Sequence, residues 1–560
     1  MESRVERKKK NQYIQQKKQR IIFIGSIFTV LLLTLIGRLY YIQMVKGDEY
    51  YESARKQWTK EIPIGISRGK IYDRNQNLLT NRHKKEYLMV FPKYFTPSNQ
   101  NIEILQKISG NKADILKNKK VLRDEPIKLE IINHNKEFID QAIHMKGIFP
   151  IEYTDRYEKT GLAAHVIGYI NTIDNRGEKG IEKVYDEVLK ENQMSKVAAI
   201  VDAQNRRIPG LKYEMIYGSS IQKNIITTLD YNIQKLVEQE LDQLNKKGSV
   251  IILDSKSGEV IAMASRPNFE QDQVVKYLKS TKQELYNRAI QISYPPGSIF
   301  KIIVAAAFLE ENIQEDTFFC KGYEEIDGVQ IKCSSFKQGG HGEIHLEEAF
   351  AKSCNSAFIQ MGKRIGGERI VDMAQKFGLG AKTEIGLAEE VEGRISTKDH
   401  IKGAGIGNLS IGQGTLEVTA IQMAKMTNII ANGGVDQGIT LIQGISDENG
   451  QIIKKVDKKP IQRVICHETA QKIQRMMQQV IEVGTARNVK LYEIGNVAGK
   501  TGSSESSSEG KKVVHAWFTG YYPSNDPKYT ITVMIEDGKS GGKVAAPLFK
   551  KILKGILQIK

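Results

Sequence analysis

The chain has only four cysteines, no excess of glycine or proline, and a single long apolar run. With 48 glycines and 13 prolines in 560 residues, it lacks the composition of a disordered chain, so most of it should fold. No internal repeat recurs along it. The absence of a second long apolar run excludes a protein that crosses a membrane several times. Length alone suggests three or four structural units of roughly 150 residues each.

The apolar run follows a basic N-terminus in a chain whose net charge is +17. Residues 1–20 hold eight lysines and arginines against two glutamates, and residues 21–36 carry no charge. Apolar character continues to Val45, which supplies the ~20 residues that a membrane-spanning helix needs. The positive flank predicts a cytoplasmic tail (1–20), a transmembrane anchor (21–45) and an external remainder. One alternative is a basic block that binds nucleic acid, but the adjoining apolar run disfavours it. The other is a cleaved signal peptide, but no small-residue cleavage site follows the apolar run.

The composition of the external part changes near Gly218 and indicates two regions. Residues 46–215 mix Lys-rich amphipathic pieces and assemble no catalytic set, so we expect a non-catalytic pedestal. Residues 216–560 begin with a helical pattern and two apolar runs joined by a Ser-Lys-Ser-Gly turn, and they end with two strand patterns and a helix. These patterns predict an α+β domain whose sheet is built from both ends of the segment, with helices between and behind it.

The stretch YPPGSIFKIIVAAAFL, residues 294–309, is the candidate catalytic element. Its Pro-Pro-Gly corner cannot lie inside a helix, whereas the apolar sequence after it can, so the corner delivers Ser298 to the first turn of a buried helix. Residues three apart share a helical face, which predicts that the Lys301 amine lies beside the Ser298 hydroxyl. An amine with a depressed pKa can activate a serine.

Two further motifs follow in chain order and distinguish this S-x-x-K from the other copies in the chain. Ser353-Cys354-Asn355 lies 55 residues beyond Ser298, and Lys500-Thr501-Gly502 opens the first of the C-terminal strands. The three motifs in this order are typical of penicillin-binding proteins and class A β-lactamases. Acyl transfer requires a nucleophile, a base, oxyanion donors and a cation for an anionic substrate end, and the three motifs supply these groups.

Each motif residue has an expected role that follows from its type. Ser298 attacks and Lys301 takes its proton, while Ser353 relays that proton to the leaving amine and the Asn355 amide contacts the peptide backbone. Lys500 and Thr501 are expected to bind the substrate carboxylate, and Lys500 also to depress the pKa of Lys301. Gly502 lets the substrate approach the strand closely. The backbone N–H groups of Ser298 and Ser503 form the oxyanion site.

Longer segments extend the resemblance over nearly the whole chain. RGKIYDRNQNLL, AAHVIGYI and GIEKVYD resemble pedestal segments, and ITTLDYNIQK, LSIGQGTLEVTAIQMA and HAWFTGYYP resemble transpeptidase-domain segments, of class B penicillin-binding proteins. These are monofunctional D,D-transpeptidases that cross-link peptidoglycan, and elongation and sporulation types are the most similar. Two departures lie in the pedestal: Asn75-Gln76 replaces the usual Asn-Gly, and the region of Arg156 lacks a common proline. They bear on partner contacts rather than on chemistry.

The resemblance implies a fold, a substrate and a partner. The fold is an elongated pedestal domain of the dimerisation type, then a β-lactamase-like transpeptidase domain with a five-stranded antiparallel sheet flanked by helices. The substrate is a lipid-linked or polymerised glycan with a stem peptide ending in D-Ala-D-Ala, and β-lactams would acylate Ser298. No cofactor is required for this chemistry. No domain for glycan polymerisation is present, so a membrane-embedded polymerase partner is implied.

Three of the four cysteines surround the second motif. Cys320, Cys333 and Cys354, with His341, form a complete tetrahedral zinc set, although their spacing is not that of a standard finger. An external location favours a disulfide instead, but an odd number leaves one thiol over. Structural zinc, a disulfide and free thiols therefore remain alternatives. Cys466 is interpreted as a buried apolar thiol.

Three other functions compete with the transpeptidase. In a D,D-carboxypeptidase or β-lactamase, water takes the acyl group, and the anchor and pedestal disfavour a β-lactamase. A β-lactam sensor needs a cytoplasmic effector, for which twenty residues before Ile21 leave no room. A pseudoenzyme scaffold is disfavoured by the intact motif set.

Overall fold

The computed structural model describes residues 2–82, 84–92, 95–117, 127–171, 174–200, 214–216, 223–311, 313, 317–396, 401–508 and 511–559. The α-helices are α1 (Glu2–Tyr40), α2 (Gly47–Trp58), α3 (Asn99–Ser109), α4 (Lys136–Ile143), α5 (Ala164–Ile167), α6 (Gly180–Val184), α7 (Asp186–Leu189), α8 (Tyr231–Leu244), α9 (Lys301–Glu310), α10 (Leu346–Ala351), α11 (Asn355–Ile365), α12 (Gly367–Lys376), α13 (Ala404–Ser410), α14 (Ala420–Ala431), α15 (His467–Glu482) and α16 (Ala546–Gln558).

The strands are β1 (Thr59–Arg68), β2 (Ile71–Tyr72), β3 (Lys84–Val90), β4 (Ile127–Glu130), β5 (Ile148–Thr154), β6 (Ile170–Asn171), β7 (Arg176–Gly177), β8 (Lys190–Ile200), β9 (Glu214–Ile216), β10 (Asn224–Thr227), β11 (Gly248–Asp254), β12 (Val260–Arg266), β13 (Thr317–Cys320), β14 (Tyr323–Ile326), β15 (Val329–Lys332), β16 (Gly342–His345), β17 (Val435–Asp436), β18 (Ile442–Ser446), β19 (Ile452–Lys455), β20 (Gln462–Arg463), β21 (Ala498–Ser508), β22 (Lys511–Tyr522) and β23 (Tyr529–Ile535). The chain divides into two compact units, residues 1–65, 86–151 and 193–218, and residues 66–85, 152–192 and 219–560.

The first unit contains the predicted anchor and a small core. Lys8–Val45 is helical, has a mean hydropathy of 2.2 in its most apolar window and is long enough to cross a membrane. The segment after it forms helix α2. A second part of this unit packs the amphipathic helices α3 and α4 on the sheet β4-β3-β5, with Leu88, Leu105 and Leu129 in its core.

The second unit is organised around a five-stranded antiparallel sheet in the order β12-β11-β23-β22-β21. The hairpin β11–β12 comes from the start of the segment and β21, β22 and β23 come from its end, as the sequence predicts. Consecutive residues of a strand face opposite sides of a sheet. Phe518 on β22 contacts Phe549 of α16, with ring centroids 4.7 Å apart, whereas its neighbour Thr519 hydrogen-bonds Thr427 of α14 at 2.6 Å. Helices therefore cover both faces.

The helices begin where side chains satisfy free backbone donors. Asp230 caps α8 by accepting hydrogen bonds from the N–H groups of Asn232 and Ile233. Thr419 and Gln422 form a capping box at the start of α14. Helix α9 is apolar around its whole circumference, which is the pattern of a helix enclosed by its own domain.

Two of the pedestal-like segments and the region of Arg156 meet in a buried ion cluster inside the second unit. Glu182 accepts hydrogen bonds from Arg68 Nε at 2.6 Å, from Arg156 and from the Tyr157 hydroxyl at 2.8 Å. The side chain of Arg68 also pairs with Asp186 at 2.7 Å. Glu182 is fully buried, so this cluster joins chain segments more than one hundred residues apart in a water-free position.

Gln76, which replaces the glycine usual in the family that the sequence resembles, has a φ of 64°. It lies in a turn held by the Asp73 carboxylate, which accepts from the N–H groups of Asn75 and Asn77. A left-handed backbone is unfavourable for residues with a Cβ. Gln76→Gly is therefore expected to raise the free energy of urea unfolding by about 1 kcal/mol. Gln451→Gly, an exposed glutamine with negative φ, is the control and should lower it; equal effects would contradict the interpretation.

Candidate active site

Ser298 lies in a short 3₁₀ turn, Gly297–Phe300, that leads directly into α9. Gly297 has a φ of 56°, and a Cβ at this position would lie 2.6 Å from the Ser503 carbonyl oxygen. Only glycine fits there. The turn therefore sets the half-buried Ser298 against strand β21, which carries the third motif.

The Lys301 amine is buried and makes three hydrogen bonds to the second motif. Its Nζ donates to the Ser353 carbonyl oxygen at 2.8 Å, to Ser353 Oγ at 3.2 Å and to Asn355 Oδ1 at 2.7 Å. Burial disfavours the charged form and lowers the pKa of Lys301 to about 8. A group with such a pKa exchanges protons readily near neutral pH.

The Lys500 amine reaches the same hydroxyl from the sheet. Its Nζ lies 3.0 Å from Ser353 Oγ, so the two amines flank one oxygen atom. Burial, and then the charge of Lys301, lower the pKa of Lys500 well below its ordinary value. Burial is likewise the main cause of the lowered pKa of Lys301, and the positive charges of the two amines repel each other.

Ser353 holds its position between the two amines in an uncommon backbone conformation. Its φ is 54°, a left-handed value that costs free energy for a residue with a Cβ. The turn is held by hydrogen bonds from Ser353 N to Phe350 O and from Cys354 N to Ala349 O. Asn355 starts α11, and its Nδ2 donates to the Lys332 carbonyl oxygen at 2.9 Å. The motif is thus tied on one side to β21 and on the other to β15.

The Ser298 hydroxyl and the Lys301 amine, which are predicted to lie side by side, share no hydrogen bond in the described part of the chain. Among the described residues, Ser298 Oγ has no hydrogen-bond partner, because the three donor positions of the Lys301 amine are directed at Ser353 and Asn355. Side chains three apart in a 3₁₀ turn still share one side. Catalytic hydrogen bonds often tighten only when substrate is bound.

Strand β21 is the edge of the sheet and carries Thr501, Gly502 and Ser503. Thr501 Oγ1 lies 2.6 Å from Thr485 Oγ1. A Cβ at Gly502 would meet Ile299, Pro296 and Trp517 at 3.0–3.1 Å, so the strand packs closely on the nucleophile turn. Ser503 is exposed, and its Oγ accepts from Gly541 N at 3.1 Å.

The four predicted zinc ligands come together beside this motif. Cys320, Cys333, His341 and Cys354 place one ligand atom each within 4.8 Å of all the others. The sulfur atoms of Cys333 and Cys354 lie 3.8 Å apart, and Cys333 Sγ lies 3.7 Å from His341 Nδ1. A disulfide needs about 2.05 Å, whereas two sulfurs on a tetrahedral zinc with bonds of about 2.3 Å lie about 3.8 Å apart. The cluster fits zinc.

Hydrogen bonding between the two sulfurs lowers the pKa of the Cys333 thiol and raises that of the Cys354 thiol, so the two sulfurs share a proton in the absence of a metal. The interpretation of Cys466 as a buried thiol was wrong. Cys466 is exposed and caps α15, where its sulfur accepts from Thr469 N at 3.4 Å.

Comparison with known proteins identifies the family. Residues 248–554, more than half of the chain, match the penicillin binding protein transpeptidase domain, and residues 63–222 match the penicillin-binding protein dimerisation domain. The chain belongs to the penicillin-binding protein family. The predicted α+β fold, with its five-stranded antiparallel sheet, is the fold of this family and is confirmed.

Two relatives and one solved structure extend over almost the whole penicillin-binding protein. Stage V sporulation protein D of Bacillus subtilis is 29% identical over 96% of this chain and 85% of its own length. The peptidoglycan D,D-transpeptidase MrdA of Acinetobacter baumannii is 27% identical over 96% of this chain and 88% of its own. A structure described as "Structural coordination of polymerization and crosslinking by a peptidoglycan synthase complex" has a TM-score of 0.69 and 25% identity over 97% of this chain and 99% of that one.

Several residues around the site of this penicillin-binding protein escaped the sequence reasoning. Gly412 accepts a hydrogen bond from Gly297 N at 2.8 Å, and a Cβ on it would lie 2.2 Å from the Gly297 carbonyl oxygen. Thr485 contacts Thr501, and Trp517 Nε1 donates to the Pro295 carbonyl oxygen at 3.1 Å. Gly412 and Trp517 stand in segments already quoted for their resemblance, but nothing in their spacing indicates these contacts.

Trp517→Phe is expected to loosen the nucleophile corner of this penicillin-binding protein. The change removes the indole N–H and leaves the Pro295 carbonyl without that donor, which costs about 1–3 kcal/mol of unfolding free energy. Acylation by penicillin should also slow, because the corner positions Ser298. Urea unfolding and the second-order acylation rate measure both effects. Tyr492→Phe, at an exposed ring, is the control, and a Trp517 variant that matched it in both measurements would disprove the positioning role.

Proposed function

We propose that this protein is a membrane-anchored peptidoglycan D,D-transpeptidase that acts through an acyl-enzyme on Ser298. The observation that carries the proposal is the convergence of two buried amines, from Lys301 and Lys500, on the hydroxyl of Ser353. Membership of a family with transpeptidase relatives supports it. The alternatives are a D,D-carboxypeptidase or β-lactam-hydrolysing enzyme and a β-lactam sensor or scaffold, and the product analysis below distinguishes the transpeptidase from a carboxypeptidase and from a protein without activity.

Acylation begins with attack of Ser298 Oγ on the carbonyl carbon between the two terminal D-Ala residues. Neutral Lys301 takes the serine proton, and the backbone N–H groups of Ser298 and Ser503 hold the oxyanion, each donor contributing about 3 kcal/mol. The C–N bond then breaks, and Ser353 passes a proton to the leaving D-Ala amine. Since Ser353 Oγ lies within 3.2 Å of both amines, it is well placed for this transfer.

The donor peptide binds along β21. An edge strand offers unpaired backbone groups to an extended peptide. The bare Gly502 lets this peptide lie close, Thr501 and Lys500 bind its terminal carboxylate, and Asn355 contacts its backbone. A bound carboxylate favours the charged form of Lys500, whose pKa is depressed without it.

Deacylation transfers the peptide to an amine of a second stem peptide. The amine nitrogen attacks the ester carbon and gives a proton to neutral Lys301. The new C–N bond forms, and the bond to Ser298 Oγ breaks as Lys301 returns that proton to the oxygen. This differs from hydrolysis only in the acceptor, so the acceptor decides whether the enzyme is a transpeptidase or a carboxypeptidase.

We place the catalytic part outside the cytoplasmic membrane, with residues 1–20 inside it, 21–45 spanning it, 46–215 as pedestal and 216–560 as transpeptidase domain. The basic flank of the single apolar helix supports this orientation. The proposed partner is a membrane-embedded glycan polymerase, supported by the likeness to a structure of a peptidoglycan synthase complex. The substrates are peptidoglycan stem peptides, and nucleic acid has no part.

Product analysis tests the function. The full-length protein is supplied with glycan strands that carry pentapeptide stems, and released D-Ala and cross-linked peptides are counted. We expect about one cross-link for each D-Ala released, and neither product from Ser298→Ala. Release of D-Ala without cross-links would show a carboxypeptidase, and no release would contradict the enzyme altogether.

A structural zinc held by Cys320, Cys333, His341 and Cys354 is the second part of the proposal. With four protein ligands, no coordination position stays open for water, so the metal would brace the fold and take no part in acyl transfer. Its ligands come from the ends of β13 and β15, the start of β16 and the cap of α11. Zinc there would stabilise the turn that holds Ser353 between the two amines.

Metal analysis of the protein purified without chelators should find about one zinc per chain. Cys333→Ser should lose the metal, whereas Cys466→Ser, at the exposed cysteine, should retain it. Removal of zinc with a strong chelator should lower the thermal unfolding midpoint and slow penicillin acylation. Metal-free wild-type protein, or chelation that changes neither property, would disprove the site.

A further inference from the structure

The hairpin next to the second motif carries a small group of lysines and aromatic rings that the proposed mechanism does not use. The second motif lies between two strands: β21 reaches it through Lys500, and β15 reaches it through the Lys332 carbonyl oxygen, which accepts from Asn355 Nδ2. On the β15 side lie Lys321, Tyr323, Lys332 and Phe336, which we call the rim cluster.

The rim cluster is ordered by its own contacts. Lys321 Nζ lies 4.5 Å from the centroid of the Tyr323 ring, and Lys332 Nζ lies 4.6 Å from that of Phe336. The two rings meet edge to face with centroids 6.0 Å apart. Tyr323 and Lys332 are also directly opposite in the register of β14 and β15. Each ammonium group is thus held over an aromatic face while some of its N–H donors stay free for a ligand.

The two lysines of the rim cluster have no ion-pair partner among the described residues. Across the part of the chain that the structure describes, neither Lys321 nor Lys332 forms an ion pair, in contrast to Lys352, which pairs with Glu348 at 2.5 Å. The nearest strand neighbour with a carboxylate, Glu324, is engaged with Ser356 and with Gln360. Two cations with restricted side chains form a surface that binds an anion at a low cost in conformational entropy.

The proposed reaction indicates which anion would bind the rim cluster, because two peptides must meet at Ser298. The donor occupies the β21 edge, with its carboxylate at Lys500 and Thr501. The side of the second motif that borders β15 is therefore left for the second peptide, which brings the attacking amine. A free carboxylate on that peptide carries the negative charge that complements the two lysines of the rim cluster.

We propose that Lys321 and Lys332 bind a free carboxylate of the acceptor stem peptide and so select acceptors in which a carboxylate lies near the attacking amine. This specificity rests on the proposed transpeptidase function. The ion pairs would act in binding and orientation, since neither lysine contacts the reacting atoms.

The test compares two synthetic acceptor peptides that differ only in a carboxylate or a carboxamide next to the attacking amine. With the full-length protein and one donor, we expect kcat/KM to favour the carboxylate acceptor by about 10-fold. The preference should fall to about 2-fold or less in the double variant Lys321→Gln, Lys332→Gln, and Lys332→Arg should retain it. Lys472→Gln, at an exposed lysine of α15 outside the cleft, is the control and should keep the full preference.

Equal rates with both acceptors in the parent protein, or a preference that survives the double variant, would overturn the proposal. Labelling of the parent by penicillin separates this failure from a failure of the function. A labelled enzyme that cross-links both acceptors equally lacks only the carboxylate site, whereas a protein without label on Ser298 lacks the proposed reaction.

Discussion

Lys301→Met should slow acylation by penicillin by about 10²–10⁴-fold, the usual contribution of a general base. Methionine fills a similar volume and removes a buried amine, so the fold should tolerate the change. The amine that disappears is the one that holds Ser353 Oγ and Asn355 Oδ1. The second-order rate of labelling with a fluorescent penicillin measures the effect. Lys472→Met, at an exposed site, is the matched control and should acylate normally.

The pH profile of the parent protein supplies a further readout of the same residue. Only the neutral amine can accept a proton, and the pKa of Lys301 is lowered to about 8 by burial. The acylation rate should therefore rise about tenfold per pH unit below this value and level off above it. The Lys301→Met variant should lose this rise. A parent rate that is flat between pH 6 and 9 would contradict the role of Lys301 as base.

The second large effect is on stability: Glu182→Gln should lower the free energy of unfolding by about 3–5 kcal/mol, as expected when a buried ion pair loses one partner. The substitution preserves shape but leaves Arg68 and Arg156 sharing a buried position without the charge of Glu182. Urea unfolding of the full-length protein measures the change. Glu152→Gln removes an exposed pair with Lys84, and as the control it should cost less than about 1 kcal/mol.

The same carboxylate gives stability a dependence on pH. Burial alone would raise the pKa of Glu182, but the charges of Arg156 and Arg68 and their hydrogen bonds lower it below its ordinary value. Its contribution is therefore fully present above the pKa of the unfolded state and is lost as pH falls through the folded-state pKa. Below about pH 4.5, the ordinary pKa of a glutamate, the parent should lose stability more steeply than Glu182→Gln. Equal slopes, or a Gln variant as stable as the Glu152 control, would contradict the ion-cluster account.

The sequence predicted those parts of the site that depend on local pattern. A Pro-Pro-Gly corner before an apolar run is enough to place Ser298 at the start of a helix, and alternating residues are enough to predict β22 and β23. The order of the motifs then indicates which distant segments belong together. The same local reasoning found the set of Cys320, Cys333, His341 and Cys354, because three cysteines cluster in a chain that has few.

Features that depend on tertiary contacts could not be predicted in this way. The indole bond from Trp517 to Pro295 and the direction of the Lys301 amine follow from packing between segments 50 to more than 200 residues apart, and no sequence pattern marks the left-handed φ of Ser353. Periodicity carries no information about such pairs. The strained φ of Gln76 was detectable only as a departure from a family pattern, and the exposed Cys466 shows that an apolar flank does not ensure burial of a thiol.

Peptide mapping of the penicillin-labelled protein by mass spectrometry tests the central idea most directly. The full-length protein is incubated with a fluorescent penicillin, digested, and searched for the peptide that carries the covalent adduct. The account predicts one adduct, on Ser298, and none in Ser298→Ala. An adduct on any other residue, or none in the parent protein, would contradict it.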